Sequence, residues 1–249
     1  NLGINKSIES ISPSLQQNNS EIPDQLPLFV TLKKKERVLR ISFLLKVYIL
    51  LIVQVVMTIG LVCLSFITSL RKWVHDKVIV VYVVIGVSCF FIFFLECFRS
   101  ICKKVPLNYI CFFTWTILES YMLIALGSRT NYKVIIGCVG ILLGLSFGLL
   151  VYVLYSYKDY VYCCAFAFSL IGMIVFYIIF AGIFGKWKVL AYCLCGFVLV
   201  NLYFCYDSTL ILRRFHFQYK SNDQIIASVG LYCDVIDVAF NVLSLVNAK

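Results

Sequence analysis

Proline is almost missing from this chain. Of its four prolines, Pro13, Pro23 and Pro27 crowd the N-terminal end, and after Lys46 only Pro106 remains. Charge is scarce as well: 14% of residues are charged and 62% are hydrophobic. Soluble globular domains carry roughly 25% charged residues, so that class is excluded. Long apolar runs without proline are helices in lipid. The alternation of polar and apolar residues that a membrane barrel needs is absent. There are two histidines, His75 and His216, and no paired C-x-x-C, which removes the usual zinc patterns. No H-E-x-x-H, G-x-S-x-G, phosphate loop or histidine box occurs, so no enzyme and no cofactor is expected. No lysine lies in the last apolar stretch, which excludes a retinal Schiff base there. Short loops and acids in the last helix argue against a seven-helix receptor.

Net charge is +10, but the basic residues sit at the ends of apolar segments, where they snorkel and set topology rather than bind nucleic acid. Nearly all of the twelve cysteines lie within apolar segments, where they read as small packing residues. Cys97 and Cys102 flank a loop at which acylation or redox chemistry has no further support. Residues 1–36 read as a disordered polar and basic cytosolic tail, lacking the apolar core of a signal peptide. Residues 37–249 read as the membrane domain. The sequons Asn5-Lys6-Ser7 and Asn18-Asn19-Ser20 would stay unused in a cytosolic tail.

The pattern predicts an all-α membrane protein, a seven-transmembrane-helix bundle with a polar C-terminal helix. The expected spans are Val47–Ile67, Val78–Leu95, Tyr109–Leu126, Val134–Tyr155, Val161–Phe184, Val189–Tyr206 and Ile225–Val246, each near the roughly 20 residues that a bilayer requires. The seventh is the weakest and could be re-entrant. With alternating spans, thirteen Lys and Arg residues (Lys33 to Lys46, Arg99, Lys103, Lys104, Lys158, Arg213, Arg214, Lys220) fall on the N-terminal side, against eight opposite. That bias places the N-terminus in the cytosol. In the fourth span Gly140, Gly144 and Gly148 form a ridge for close helix packing, favoured as intramolecular over dimeric.

Acids inside the membrane stand out most. Gly230, Asp234, Asp237 and Asn241 fall in one narrow arc of the last helix. A carboxylate at the bilayer centre costs roughly 2.5–3.5 kcal/mol on insertion scales, so this arc must face other helices or a wet cavity. Glu119 shares the third span with Thr116 and Ser120, either as a protonated packing residue or as a cavity acid. Asp207 closes the sixth span. Asp234 lies about 14 Å into the seventh, so the two acids meet only if the sixth helix continues inward or its loop folds back.

Several short stretches resemble the Bax inhibitor-1 superfamily, the transmembrane Bax-inhibitor-motif proteins, and especially its lifeguard and Golgi anti-apoptotic branches. Arg40-Ile41-Ser42-Phe43-Leu44-Leu45-Lys46-Val47-Tyr48, followed by Gln54 and Thr58, is similar to the family's R-x-x-F-L-x-K-V-Y opening. Pro106-Leu107-Asn108 precedes Phe112, Thr114 and Glu119. Lys158-Asp159-Tyr160 is similar to K-x-D-[FY], and Tyr206-Asp207-Ser208 to Y-D-T. Leu231-Tyr232-Cys233-Asp234-Val235-Ile236-Asp237 is similar to L-Y-L-D-I-I-N. The resemblance implies two groups of three helices around a central polar C-terminal helix. It implies a pH-dependent calcium leak across endoplasmic reticulum or Golgi membranes, with suppression of cell death. Calcium is then the permeating ion, and no metal is firmly assigned to a site. It also implies a pH-sensing aspartate pair, which maps to Asp207 and Asp234. Asp237 stands where the family has asparagine. Ser221-Asn222-Asp223-Gln224 replaces a loop with two acids, leaving Asp223. Candidate basic latch residues are Arg99, Lys103 and Lys104. The alternative is a non-conducting membrane protein that inhibits apoptosis by binding other apoptosis-regulating membrane proteins.

Overall fold

In the computed structural model, the described residues are 25–67, 73–74, 76–97, 106–129, 132–156, 160–214 and 223–247. They form seven long α-helices and no strand. We number them α1 (Gln25–Ile67), α2 (Val78–Cys97), α3 (Leu107–Arg129), α4 (Tyr132–Tyr155), α5 (Tyr162–Phe184), α6 (Trp187–Arg214) and α7 (Gln224–Asn247). Five carry apolar stretches long enough to cross a membrane: Arg37–Leu64, Leu107–Leu126, Tyr132–Tyr155, Tyr162–Phe184 and Trp187–Arg213.

The other two, α2 and α7, are also helices of the length expected for spans. The described residues of α2 include the apolar stretch from Ile79 to Phe91. Helix α7 carries Asp234 and Asp237 on one arc and Ser228 and Tyr232 on another. It is 24 residues long, about 36 Å at 1.5 Å per residue. Helix α1 begins at Gln25, so helix extends into the stretch read as a polar tail. Pro27 is tolerated there because the first turn of a helix has no intrahelical partner for its missing N–H.

Periodicity explains which faces pack. On α1, Leu44, Tyr48, Leu51, Val55 and Val62 are 0–1% exposed and recur at three- and four-residue spacing. Helix α4 is the most enclosed, with 78% of its apolar window buried against 17% for α5, which lies at the periphery. Helix α2 is also peripheral: Ile79, Tyr82, Phe90 and Phe93 are exposed, while Phe91 stacks on Trp115 of α3 at 5.8 Å.

The glycine ridge of α4 is an intramolecular seam. A Cβ at Gly144 would sit 2.5 Å from the carbonyl oxygen of Gly172, and one at Gly148 2.5 Å from that of Phe168, both on α5. As numbering rises along α4 it falls along α5, so the two run antiparallel. Helix α5 ends where Gly185 takes φ 64° and donates its N–H to Ala181.

Candidate polar core and acidic face

Three helices each carry a polar pair at i,i+4: Gln54 and Thr58 on α1, Thr116 and Ser120 on α3, Ser228 and Tyr232 on α7. All six are 0–1% exposed. Gln54 Nε2 donates to Thr116 Oγ1 at 3.3 Å, and Ser228 Oγ donates to Gln54 Oε1 at 3.0 Å. One turn deeper, Ser120 Oγ reaches Thr58 Oγ1 at 3.3 Å, and the hydroxyls of Thr58 and Tyr232 meet at 2.5 Å. Both α1–α3 bonds join residues 62 apart, and both α1–α7 bonds join residues 174 apart. Constant offsets mean that α1, α3 and α7 run parallel and in register. Helix α7 also packs against α4 and α6, so four helices touch it.

Donors and acceptors can be assigned for all but the Ser120–Thr58 contact, because Ser120 Oγ gives its proton to Thr116 O at 2.6 Å. Thr116 Oγ1 gives its proton to Phe112 O at 2.8 Å, and Thr58 Oγ1 gives its own to Gln54 O at 2.9 Å. Thr116 therefore accepts from the amide of Gln54, and Thr58 accepts from Tyr232. A separate polar contact ties α5 to α6, where Ser169 Oγ donates to Asn201 Oδ1 at 2.7 Å.

The acids lie elsewhere. Gly230 and Asp237 are exposed and Asp234 is half-buried, whereas Ser228, Tyr232 and Ile236, on the opposite side of α7, are sealed. Of the two surroundings expected for the acidic arc, full enclosure by helices does not hold, and the acids border an accessible face. Helix α6 continues past Asp207 to Arg214, so Asp207 lies about 10 Å inside the helix end rather than closing it. This extension brings Asp207 and Asp234 into mutual electrostatic reach, with Asp237 also beside Asp234 and Tyr203 of α6 near both members of the pair.

Glu119 is 7% exposed and parts from Thr116 and Ser120. Those two face α1, whereas the carboxyl of Glu119 has Asp237, Tyr232 and Cys233 of α7 as electrostatic neighbours. Asp223 is buried immediately before α7, and its carbonyl accepts the N–H of Ala227 at 3.1 Å. It stands about 16 Å along the axis from Asp234, in a different layer. Arg99, Lys103 and Lys104 lie outside the described residues, as does Lys158-Asp159. Asn241 is helical, but its surroundings lie outside the description. Among the described residues no set of three or more His, Cys, Asp or Glu is arranged for a metal ion.

The family model described as "Inhibitor of apoptosis-promoting Bax1" matches residues 40–249. The chain belongs to this family. Among relatives, Protein lifeguard 3 of Mus musculus is 23% identical over 223 residues, covering 86% of this chain and 71% of that protein. Protein lifeguard 3 of Homo sapiens is 23% identical over 221 residues, with the same coverage. No solved structure matches the chain. As an integral membrane protein of the Bax1-inhibitor family, the chain gathers its motif residues in space. Tyr48, from the opening motif, donates to Ser208, beside Asp207, at 2.8 Å. Tyr160, from the loop between α4 and α5, lies in electrostatic contact with Tyr48 and packs edge-on to Tyr152 at 5.4 Å. Burial pushes the Tyr160 hydroxyl, outside the spans, well above the usual tyrosine range.

Sequence reading missed the polar core. Its signal was present in the three i,i+4 polar pairs on α1, α3 and α7.

Proposed function

We propose that this chain is a pH-sensitive calcium leak of an internal membrane, of the endoplasmic reticulum or Golgi, that lowers store calcium and thereby restrains cell death. The observation carrying the reading is the juxtaposition of Asp207 and Asp234 across α6 and α7, on an accessible face. Two carboxylates in mutual reach resist double ionisation and titrate as a unit. When both ionise, their repulsion pushes α6 and α7 apart, and the opened carboxylate-lined path suits a hard cation that prefers oxygen ligands. The cytosolic N-terminus is part of this proposal and follows from the distribution of basic residues.

The second reading, a non-conducting partner of other apoptosis-regulating membrane proteins, draws on the sealed layer around Gln54 and Thr58. Six fully buried polar groups there bond to one another across α1, α3 and α7. Calcium efflux from liposomes holding the purified protein, measured over a pH series, separates the two. The leak reading expects flux rising with pH through a midpoint. Background flux at every pH would leave only the partner-binding reading.

A further inference from the structure

We propose that Gln54 is a positioning residue: its side-chain amide clamps α7 to α1 and α3, and this clamp holds Asp234 in place and the leak closed. The second half rests on the leak reading above; the first does not.

Like Thr58 one turn on, Gln54 touches both neighbours. Its Nε2 donates to Thr116 on α3 and its Oε1 accepts from Ser228 on α7, so one planar group fixes two helices at once. With the Thr116 proton given to Phe112 O, the NH2 side of Gln54 faces α3 and its oxygen faces α7. The backbone carbonyl of Gln54 also takes the proton of Thr58, which leaves Thr58 an acceptor for Tyr232. Of the two bonds between α1 and α7 in this layer, the Gln54 side chain makes one and Thr58 the other. The residue is 0% exposed, so a polar group left without its partner there has no water to turn to. Ser228 and Tyr232 lie on the face of α7 opposite Asp234 and Asp237. A rotation of α7 that moved the acids would therefore have to pull both residues away from Gln54 and Thr58.

Native Cys233, half-buried and next to Asp234 on α7, reports the position of that helix without any assay of flux. The full chain in liposomes is treated with a membrane-permeant maleimide, and alkylation of Cys233 is followed by peptide mass spectrometry. Loss of two buried hydrogen bonds in Gln54→Leu should speed the reaction roughly tenfold. The exchange variant Gln54→Ser with Ser228→Gln, which returns an amide to the same gap from the other helix, should restore much of the slow rate; a merely structural loss would not be repaired. Ser228→Ala breaks one bond only and serves if Gln54→Leu fails to fold. An unchanged Cys233 rate in a folded Gln54→Leu or Ser228→Ala protein overturns the clamp. Calcium efflux from the same liposomes tests the second half. Basal leak at the pH where the unmodified chain is closed should rise roughly tenfold in Gln54→Leu, since the same two bonds are lost. Faster alkylation with unchanged leak would overturn the gating role and keep the clamp. An unmodified chain silent at every pH would sink the leak reading, and with it the gating role, while the Cys233 rates would still decide the clamp.

Discussion

Asp207 and Asp234 come from different helices and act, on the proposed reading, as one titrating unit. Replacing either by Asn removes the coupling, so Asp207→Asn and Asp234→Asn should each abolish the pH response of calcium flux. The double variant should match the singles, because members of one coupled unit are not additive. Efflux from liposomes over the pH series checks this, and two losses that add independently would mean that the pair is not the sensor. The types and spacing of the acids on α7 could be read directly from the chain. What could not be read was the length of α6. Apolar residues thin out after Tyr206, which suggested an end there, yet Ile211 is buried and draws the helix on to Arg214. That continuation turns a terminal acid into an internal one. Glu119 misled in another way: it shares the third span with Thr116 and Ser120, but its 100° offset from Ser120 aims it at α7 instead of α1.

At the scale of helices, the α4–α5 seam gives a contrast independent of function. Gly144→Ala and Gly148→Ala would each press a methyl group against a backbone carbonyl of α5, which cannot swing aside. Each should cost about 1–3 kcal/mol by overpacking. Gly60→Ala and Gly86→Ala meet nothing within 4 Å. They should be neutral or stabilising by up to about 1 kcal/mol, from helix propensity alone. Thermal unfolding in detergent micelles compares the four, and equal melting temperatures would refute the seam. Here the sequence was informative because glycine repeats every four residues only where a ridge is needed. It was silent on the partner: nothing in α5 but Gly172 marks it as the helix that fits. The parallel register of α1, α3 and α7 was likewise written in three polar i,i+4 pairs, but only a known set of neighbours shows that the pairs meet one another.

For the whole molecule, parallel α1, α3 and α7 require the intervening helices to return the chain to its starting side each time. Helix α7 therefore enters from the side on which α1 enters, and basic residues favour the cytosol for that side. An N-terminal epitope tag should be stained in cells whose plasma membrane alone is permeabilised; staining only after internal membranes are opened would contradict the proposed orientation. The register also has a consequence in time. Ribosomes release α1 and α3 long before α7, so Gln54, Thr58, Thr116 and Ser120 spend most of synthesis in the membrane without Ser228 and Tyr232. Until the final helix arrives, the first one holds polar groups with an unfinished set of partners, an arrangement that quality control or a helper protein can recognise. Chains stopped after residue 222 should therefore be degraded faster in a pulse-chase experiment than full chains, and an added segment carrying α7 should slow that loss.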